Sequence, residues 1–171
     1  MALHRVKCPL CQNIFCGGCY SEPYHLGKSC DEHKQYRESQ KCRFCGGAIP
    51  NVDPAEGALA NVCDSQDCLS LKELSCNKVH ECGHACLGVK DEAECLPCLN
   101  EECVGPGAEQ NEESYCVICY TTGLNSEPCV RLSSCGHAFH YNCLAKLIKD
   151  KWPSPRIVFK FLYCPIDTCR K

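Results

Sequence analysis

The chain has 171 residues, with 22 Cys, 7 His, only 8% aromatic residues and a formal net charge of −3. A chain so poor in aromatic residues, whose 44% apolar count includes the 22 Cys, cannot build one large apolar core, so small modules held by metal or by disulfides are expected. The acidic balance argues against a nucleic-acid footprint. No run of eighteen apolar residues occurs, so no membrane span is expected, and residues 1–8 (MALHRVKC) lack the apolar stretch of an export signal. His residues at ligand spacing among the Cys favour zinc over disulfides, in the reducing cytoplasm or nucleus.

Residues 1–48 form the first cysteine block. It reads Cys8-Pro-Leu-Cys11, Phe15-Cys16-Gly-Gly-Cys19, His25, Cys30, His33 and Cys42-Arg-Phe-Cys45. Cys16, Cys19, His25 and Cys30 are expected to hold one zinc, with His33 as a substitute ligand. Cys8, Cys11, Cys42 and Cys45 make two Cys-x2-Cys pairs and are expected to hold a second. The Phe-Cys-x2-Cys-x5-His-x4-Cys piece resembles the second half of an in-between-RING finger. His33–Gln40 reads as a short helical turn. Residues 49–62, with the Gly-Gly of 46–47 before them, carry Gly, Pro and small side chains and read as a linker.

The second block, 63–103, contains Cys63, Cys68, Cys76, Cys82, His84, Cys86, Cys95, Cys98 and Cys103. Together with His80 these suffice for two zinc sites, but spacing does not partition them. The Cys82-Gly-His84-x-Cys86 core and the later Cys95-x2-Cys98 are similar to NF-X1-type zinc fingers. The acidic surroundings favour a spacer or protein-interaction role over DNA binding. Residues 104–114 (VGPGAEQNEES) are Gly-, Pro- and acid-rich and read as a second linker.

Residues 115–171 hold the most informative pattern: Cys116-x2-Cys119-x15-Cys135-x-His137-x2-His140-x2-Cys143, then Cys164. Alternating pairs of this order resemble a RING-H2 cross-brace, in which first and third pairs share one zinc and second and fourth the other. That assigns Cys116, Cys119, His140 and Cys143 to one site. Cys135, His137 and Cys164 go to the other, with either Asp167 or Cys169 as last ligand. Asp167 has the ordinary two-residue spacing and is favoured; Cys169 is the softer donor. Asn142–Lys151 has Leu144, Leu147 and Ile148 at helical spacing, stopped by Pro153 and Pro155, and its lysines read as a solvated face. Ile157–Tyr163 is β-branched and aromatic and reads as a strand.

The expected fold class is therefore a set of small zinc-stabilised α+β modules, mostly irregular, with about six structural Zn2+ ions. By the RING resemblance, Ile118, Leu147 and Pro165 line a groove for an E2 ubiquitin-conjugating enzyme. Trp152 is a further groove residue or, equally, core packing. Four protein ligands saturate each zinc, so neither metal is a Lewis acid. Transfer of ubiquitin from the E2 thioester to a protein substrate is accelerated by orientation. No catalytic residue is expected on this chain. Cys129, outside the ligand pattern, reads as a small buried hydrophobe rather than a nucleophile.

The run from Cys76 to Cys103, the short acidic gap, the cross-brace and the Trp152-x-x-Pro155-Arg156-Ile157-x-Phe159 segment together resemble the RING region of the Pam/Highwire/Phr family of very large ubiquitin ligases. Members carry a tandem-cysteine relay after the RING. The sequence runs to Lys171, just past the RING, so relay activity is not assigned to it: it reads either as a fragment of a larger ligase or as a shortened relative limited to RING-type transfer. The resemblance implies a RING-type E3 ubiquitin ligase or its E2-recruiting fragment, with E2, ubiquitin and a protein substrate as partners. The alternative is a zinc-scaffold interaction module without ligase activity.

Overall fold

A computed structural model describes residues 4–49, 54–105, 107–151 and 159–169. The chain divides into two compact units, Met1–Gln40 and Lys41–Lys171. Regular elements are short throughout, as expected where metal rather than apolar area does the stapling.

In the first unit β1 (Arg5–Lys7) pairs antiparallel with β2 (Ile14–Cys16), with Val6 opposite Phe15. α1 (Cys30–Glu38) follows, covering most of the helical turn expected over His33–Gln40. Its start is a capping box: the Glu32 amide donates to Ser29 Oγ at 3.2 Å, and the Ser29 amide donates to Glu32 Oε2 at 2.6 Å. No α1 side chain is buried, so packing does not hold the helix in place.

At the boundary of the units β3 (Gln40–Lys41) pairs with β4 (Ala48–Ile49), and α2 (Gln66–Leu74) follows in the second unit. Cys42, Phe44, Ile49, Leu59, Val62 and Cys68 form one small core here. The expected linker 49–62 supplies three of those residues. Its Gly and Pro content marks turns, while Ile49, Leu59 and Val62 are apolar enough to bury; the linker expectation is corrected for the described part. A hairpin-like pair follows, bridged at Ser75 with Val89 and at Val79 with Ala85. Next come α3 (Glu101–Val104), then β5 (Cys129–Arg131) antiparallel to β6 (Ala138–His140), and α4 (Tyr141–Asp150). Cys76, Cys86, Leu87, Leu96, Cys116, Leu124, Cys129, Ala138, Phe139 and Cys164 share the larger core. The Cys129 amide donates to Leu87 O at 2.7 Å and ties the hairpin to β5.

α4 matches the expected helix to within a residue and ends at Lys151, whose φ of +49° breaks the helical path. The expected strand Ile157–Tyr163 is not found in its described part: Phe159–Leu162 winds as a 3-10 turn. Strand-type residues need a neighbouring surface to pack on, whereas Phe159, Leu162 and Tyr163 are more than half exposed. Among the described residues no helix is long and apolar enough to cross a membrane.

Candidate metal centres

The local unit of the sites is a tight turn with Cys at its first and fourth positions. At Cys16 the amide donates to Ser21 O at 3.1 Å, the Tyr20 amide returns to Cys16 O at 2.7 Å, and Tyr20 has φ +57°. Cys42 repeats the pattern with Gly47 and Gly46 (2.7 and 2.9 Å; Gly46 φ +66°). At Cys116 the return bond from the Tyr120 amide is 2.8 Å, and the Cys116 amide donates one residue further on, to Thr122 O at 3.2 Å. The turn brings both sulfurs to one side.

Among the described residues six groups of three or more ligating side chains have their donor atoms within 4.8 Å of one another. Five are Cys/His tetrads: Cys16, Cys19, His25 and Cys30; Cys42, Cys45, Cys63 and Cys68; Cys82, His84, Cys98 and Cys103; Cys116, Cys119, His140 and Cys143; and Cys135, His137, Cys164 and Cys169. Sulfur–sulfur separations are 3.6 Å for Cys16–Cys30, 3.8 Å for Cys42–Cys68 and 3.7 Å for Cys45–Cys63. A disulfide requires about 2.05 Å. A tetrahedron with metal–sulfur bonds of about 2.3 Å has edges of about 3.8 Å, so the donor sets fit a tetrahedral soft-donor ion. All 22 cysteines are free thiols.

Two sequence expectations change, and part of the partition that spacing left open is filled. Cys42 and Cys45 join Cys63 and Cys68 rather than Cys8 and Cys11. All Cys-x2-Cys pairs are chemically alike, so spacing alone could not pair them; the folded-back segment 54–62 decides. Cys169, not Asp167, completes the last tetrad: the Cys169 amide donates to Ile166 O at 2.9 Å, a turn that brings its sulfur inward and leaves Asp167 exposed. In the second block Cys82, His84, Cys98 and Cys103 come together, with His84 Nδ1 at 3.3 Å from Cys103 Sγ. Cys76, Cys86 and Cys95, also expected as ligands, lie near one another in or against the larger core. Burial, with the Cys76 and Cys95 sulfurs nearby, pushes the Cys86 thiol up to about 12.

The last two tetrads interleave along the chain, which is a cross-brace. His140 is fully buried; its Nε2 donates to Gly123 O at 2.9 Å, leaving Nδ1 to face Cys119 Sγ at 3.7 Å and Cys143 Sγ at 3.9 Å. His137 does the same with a carboxylate: Nε2–H to Glu109 Oε2 at 2.7 Å, Nδ1 toward Cys164 Sγ at 3.5 Å. Such outer partners fix the tautomer and orient the ring. Burial and the charges on Cys116 and Cys119 push Cys143 up to about 12. Cys119, though partly buried, is held down to about 6 by hydrogen bonds from Thr121. In the second tetrad Cys164 is pushed up to about 11, chiefly by burial, while Cys135 falls to about 7 under hydrogen bonds from His137 that outweigh its burial.

Glu109 lies in the expected linker 104–114, and that expectation is also corrected. Gln110 Nε2 donates to Ala138 O at 3.0 Å, and Gln110 Oε1 accepts from the Ala138 amide at 2.7 Å. The Glu112 amide donates to Leu99 O at 2.8 Å, and Asn125 donates to Glu112 O at 2.9 Å. The segment is a strap fastened to β6 and to the block before it. A second residue missed from sequence is Arg43, largely buried. Its Nη2 donates to Cys86 O at 2.9 Å, and burial pulls its basicity down against nearby Cys86, Cys129 and Cys76. Neither carried a sequence signal, since both act through folded-back backbone.

Ile118, Leu147 and Pro165 are each half-buried, and Ile118 packs on the rim of the larger core. Trp152 lies outside the described residues. Cys129 is fully buried and its Sγ donates to Leu124 O at 3.1 Å. Burial pushes its thiol far up, the environment of a packing residue rather than a nucleophile.

The fold and sites define a serial Cys/His metal-module protein ending in a cross-brace. The chain is 38% identical over 143 residues to an E3 ubiquitin-protein ligase named MYCBP2 from Danio rerio, covering 83% of this chain and 3% of that protein. It is 39% identical over 137 residues to an E3 ubiquitin-protein ligase named highwire from Drosophila melanogaster, covering 74% of this chain and 2% of that protein. In this segment the chain belongs to the Pam/Highwire/Phr family. It spans only a few hundredths of the length of these curated relatives. No family model and no solved structure matches.

Proposed function

We propose that the segment 115–171 is a RING-type module that docks an E2 enzyme carrying ubiquitin, and that the chain is the E2-recruiting part of an E3 ubiquitin ligase. The interleaving of the Cys116/Cys119/His140/Cys143 tetrad with Cys135/His137/Cys164/Cys169 carries this reading. When bound, zinc supplies rigidity at these tetrads, each filled by four protein donors. Ile118 on the first turn, Leu147 on α4 and Pro165 after Cys164 then form a fixed apolar footprint for the E2. Rate enhancement comes from holding the thioester in a reactive orientation; the nucleophilic thiol belongs to the E2. Residues 4–40 and 41–103 act as upstream zinc modules, and the all-thiol cysteine set suits a reducing cytoplasmic or nuclear setting.

The test is an autoubiquitination panel across E2 enzymes with the wild-type chain and Ile118→Ala, each checked for zinc content. Wild-type activity with at least one E2, lost in Ile118→Ala at unchanged zinc content, is expected. Undiminished activity in that variant refutes the footprint. Discharge to threonine rather than lysine would instead point to a relay mechanism.

A further inference from the structure

Arg43 sits between Cys42 and Cys45 on the turn of one tetrad, yet its side chain reaches the block that follows. Nη2 donates to Cys86 O at 2.9 Å, Nη1 makes a long bond to Ala58 O at 3.4 Å, and the buried Nε has no partner. A guanidinium keeps its charge inside a protein, and a largely buried one needs an anion beside it. Among the described residues the groups whose charge bears on Arg43 are all sulfurs, those of Cys86, Cys129 and Cys76, and no carboxylate is among them.

A neutral thiol offers a buried cation little. Cys129 stays neutral, since its Sγ donates to Leu124 O at 3.1 Å. Burial keeps the proton on Cys86 as well, unless a metal ion displaces it. Cys86 is nevertheless dressed as a ligand sulfur. The Gly88 amide donates to Cys86 Sγ at 3.4 Å, as the Gly47 amide does to Cys45 Sγ at 3.4 Å in the tetrad. Cys76 shares a side-chain hydrogen bond with Cys86, and the Cys95 sulfur is near. The hairpin register sets His80 on the same face as Cys76 and Cys86, and its buried Nε2 has no partner. Three thiolates on a divalent ion, with a neutral fourth donor, carry one net negative charge. That charge is the partner missing from Arg43.

We infer that Arg43 is the counter-charge of a metal site at Cys76, Cys86 and Cys95, and that it ties the loading of this site to the Cys42/Cys45/Cys63/Cys68 tetrad whose turn carries it. This role presupposes a metal ion in both donor sets and does not depend on E2 docking. Linkage makes the effect reciprocal: metal in either site steadies Arg43 for the other. Arg43 touches no metal itself and is a positioning residue.

The experiment titrates the zinc-saturated 171-residue chain with a chelator and maps which cysteines open to alkylation at each step. Arg43→Lys keeps the charge, Arg43→Gln keeps an N–H donor for Cys86 O without the charge, and Arg43→Met keeps only the bulk. Cys76, Cys86 and Cys95 should open at about 10- to 100-fold lower chelator concentration in Arg43→Gln and Arg43→Met, while Arg43→Lys stays near the wild type. Cys116 and Cys135 should open at the wild-type point in every variant, which shows that the rest of the chain is folded. Cys63→Ser, which removes a ligand of the tetrad, should loosen the three thiols in the wild-type background and add nothing in Arg43→Gln. Equal loss in Arg43→Lys and Arg43→Gln overturns the counter-charge role, as does full retention in Arg43→Gln. An equal effect of Cys63→Ser in both backgrounds overturns the tie between the sites. Free reaction of Cys76, Cys86 and Cys95 in the zinc-saturated wild type overturns both, by removing the metal rather than the charge.

Discussion

Replacing the last ligand of the second cross-brace site separates the folded geometry from the spacing of the sequence. Spacing favours Asp167, but the tetrad contains Cys169 and leaves Asp167 exposed. A structural zinc contributes about 10–16 kcal/mol of binding free energy in small finger peptides. Shared over four ligands, that is about 2.5–4 kcal/mol per donor, or about two to three powers of ten in affinity. Cys169→Ser is therefore expected to release one zinc to a chelator at concentrations that leave the wild-type sites loaded. Asp167→Ala, at an exposed position outside the ligand set, is expected to stay within about 0.5 kcal/mol of wild type. The assay is competition with a colorimetric chelator, each variant titrated beside Cys135→Ser, which removes a ligand of the same site. Retention of zinc by Cys169→Ser, with loss in Asp167→Ala, would refute the turn through Ile166 as the device that closes this site.

Other outcomes follow from the same geometry. Glu109→Gln removes the charge behind His137 and should weaken the second cross-brace site about 10- to 100-fold, with the His140 site unchanged in the same titration. Gln110→Ala leaves the Ala138 amide and carbonyl without their partners. About 1–3 kcal/mol of stability should be lost in denaturant unfolding of the zinc-loaded protein. In the metal-free form Cys143 (about 12) and Cys164 (about 11) hold their protons at neutral pH, and metal uptake must expel them. The metal-free state binds more protons, so acid favours it and affinity rises with pH; calorimetry in buffers of different ionisation enthalpy should record proton release, and none would refute the assignment. Cys129→Ala should lower stability by about 1 kcal/mol or more through the small void it leaves, while ubiquitin transfer per folded molecule stays the same.

The cross-brace and the Cys16/Cys19/His25/Cys30 tetrad were legible because their ligands recur at short, distinctive spacings, with His fixing the order. α4 was legible because Leu144, Leu147 and Ile148 repeat at the helical period. The Cys42/Cys45/Cys63/Cys68 tetrad was not. Its two halves lie on either side of a Gly- and Pro-bearing stretch whose composition reports turns and says nothing of the chain's return. Cys63, before α2, and Cys68, in its first turn, also lack the two-residue spacing that marks a turn ligand. Asp167 misled for a related reason: a count of residues assumes one turn shape, and the chain between Ile166 and Cys169 takes another. Glu109 and Gln110 were hidden because an acidic, Gly-rich run has the composition of solvated spacer, and only register against β6 shows what it touches.

The strap 109–112 sets a length rule for this part of the chain. Both of its ends are fastened, to Leu99 and Asn125 on one side and to Ala138 and His137 on the other. A residue inserted or deleted between Glu109 and Glu112 would therefore slide one set of partners out of reach. Natural relatives should vary freely in sequence at exposed positions nearby, yet keep a constant spacing through these four positions, as a buckle tolerates any leather but only one hole.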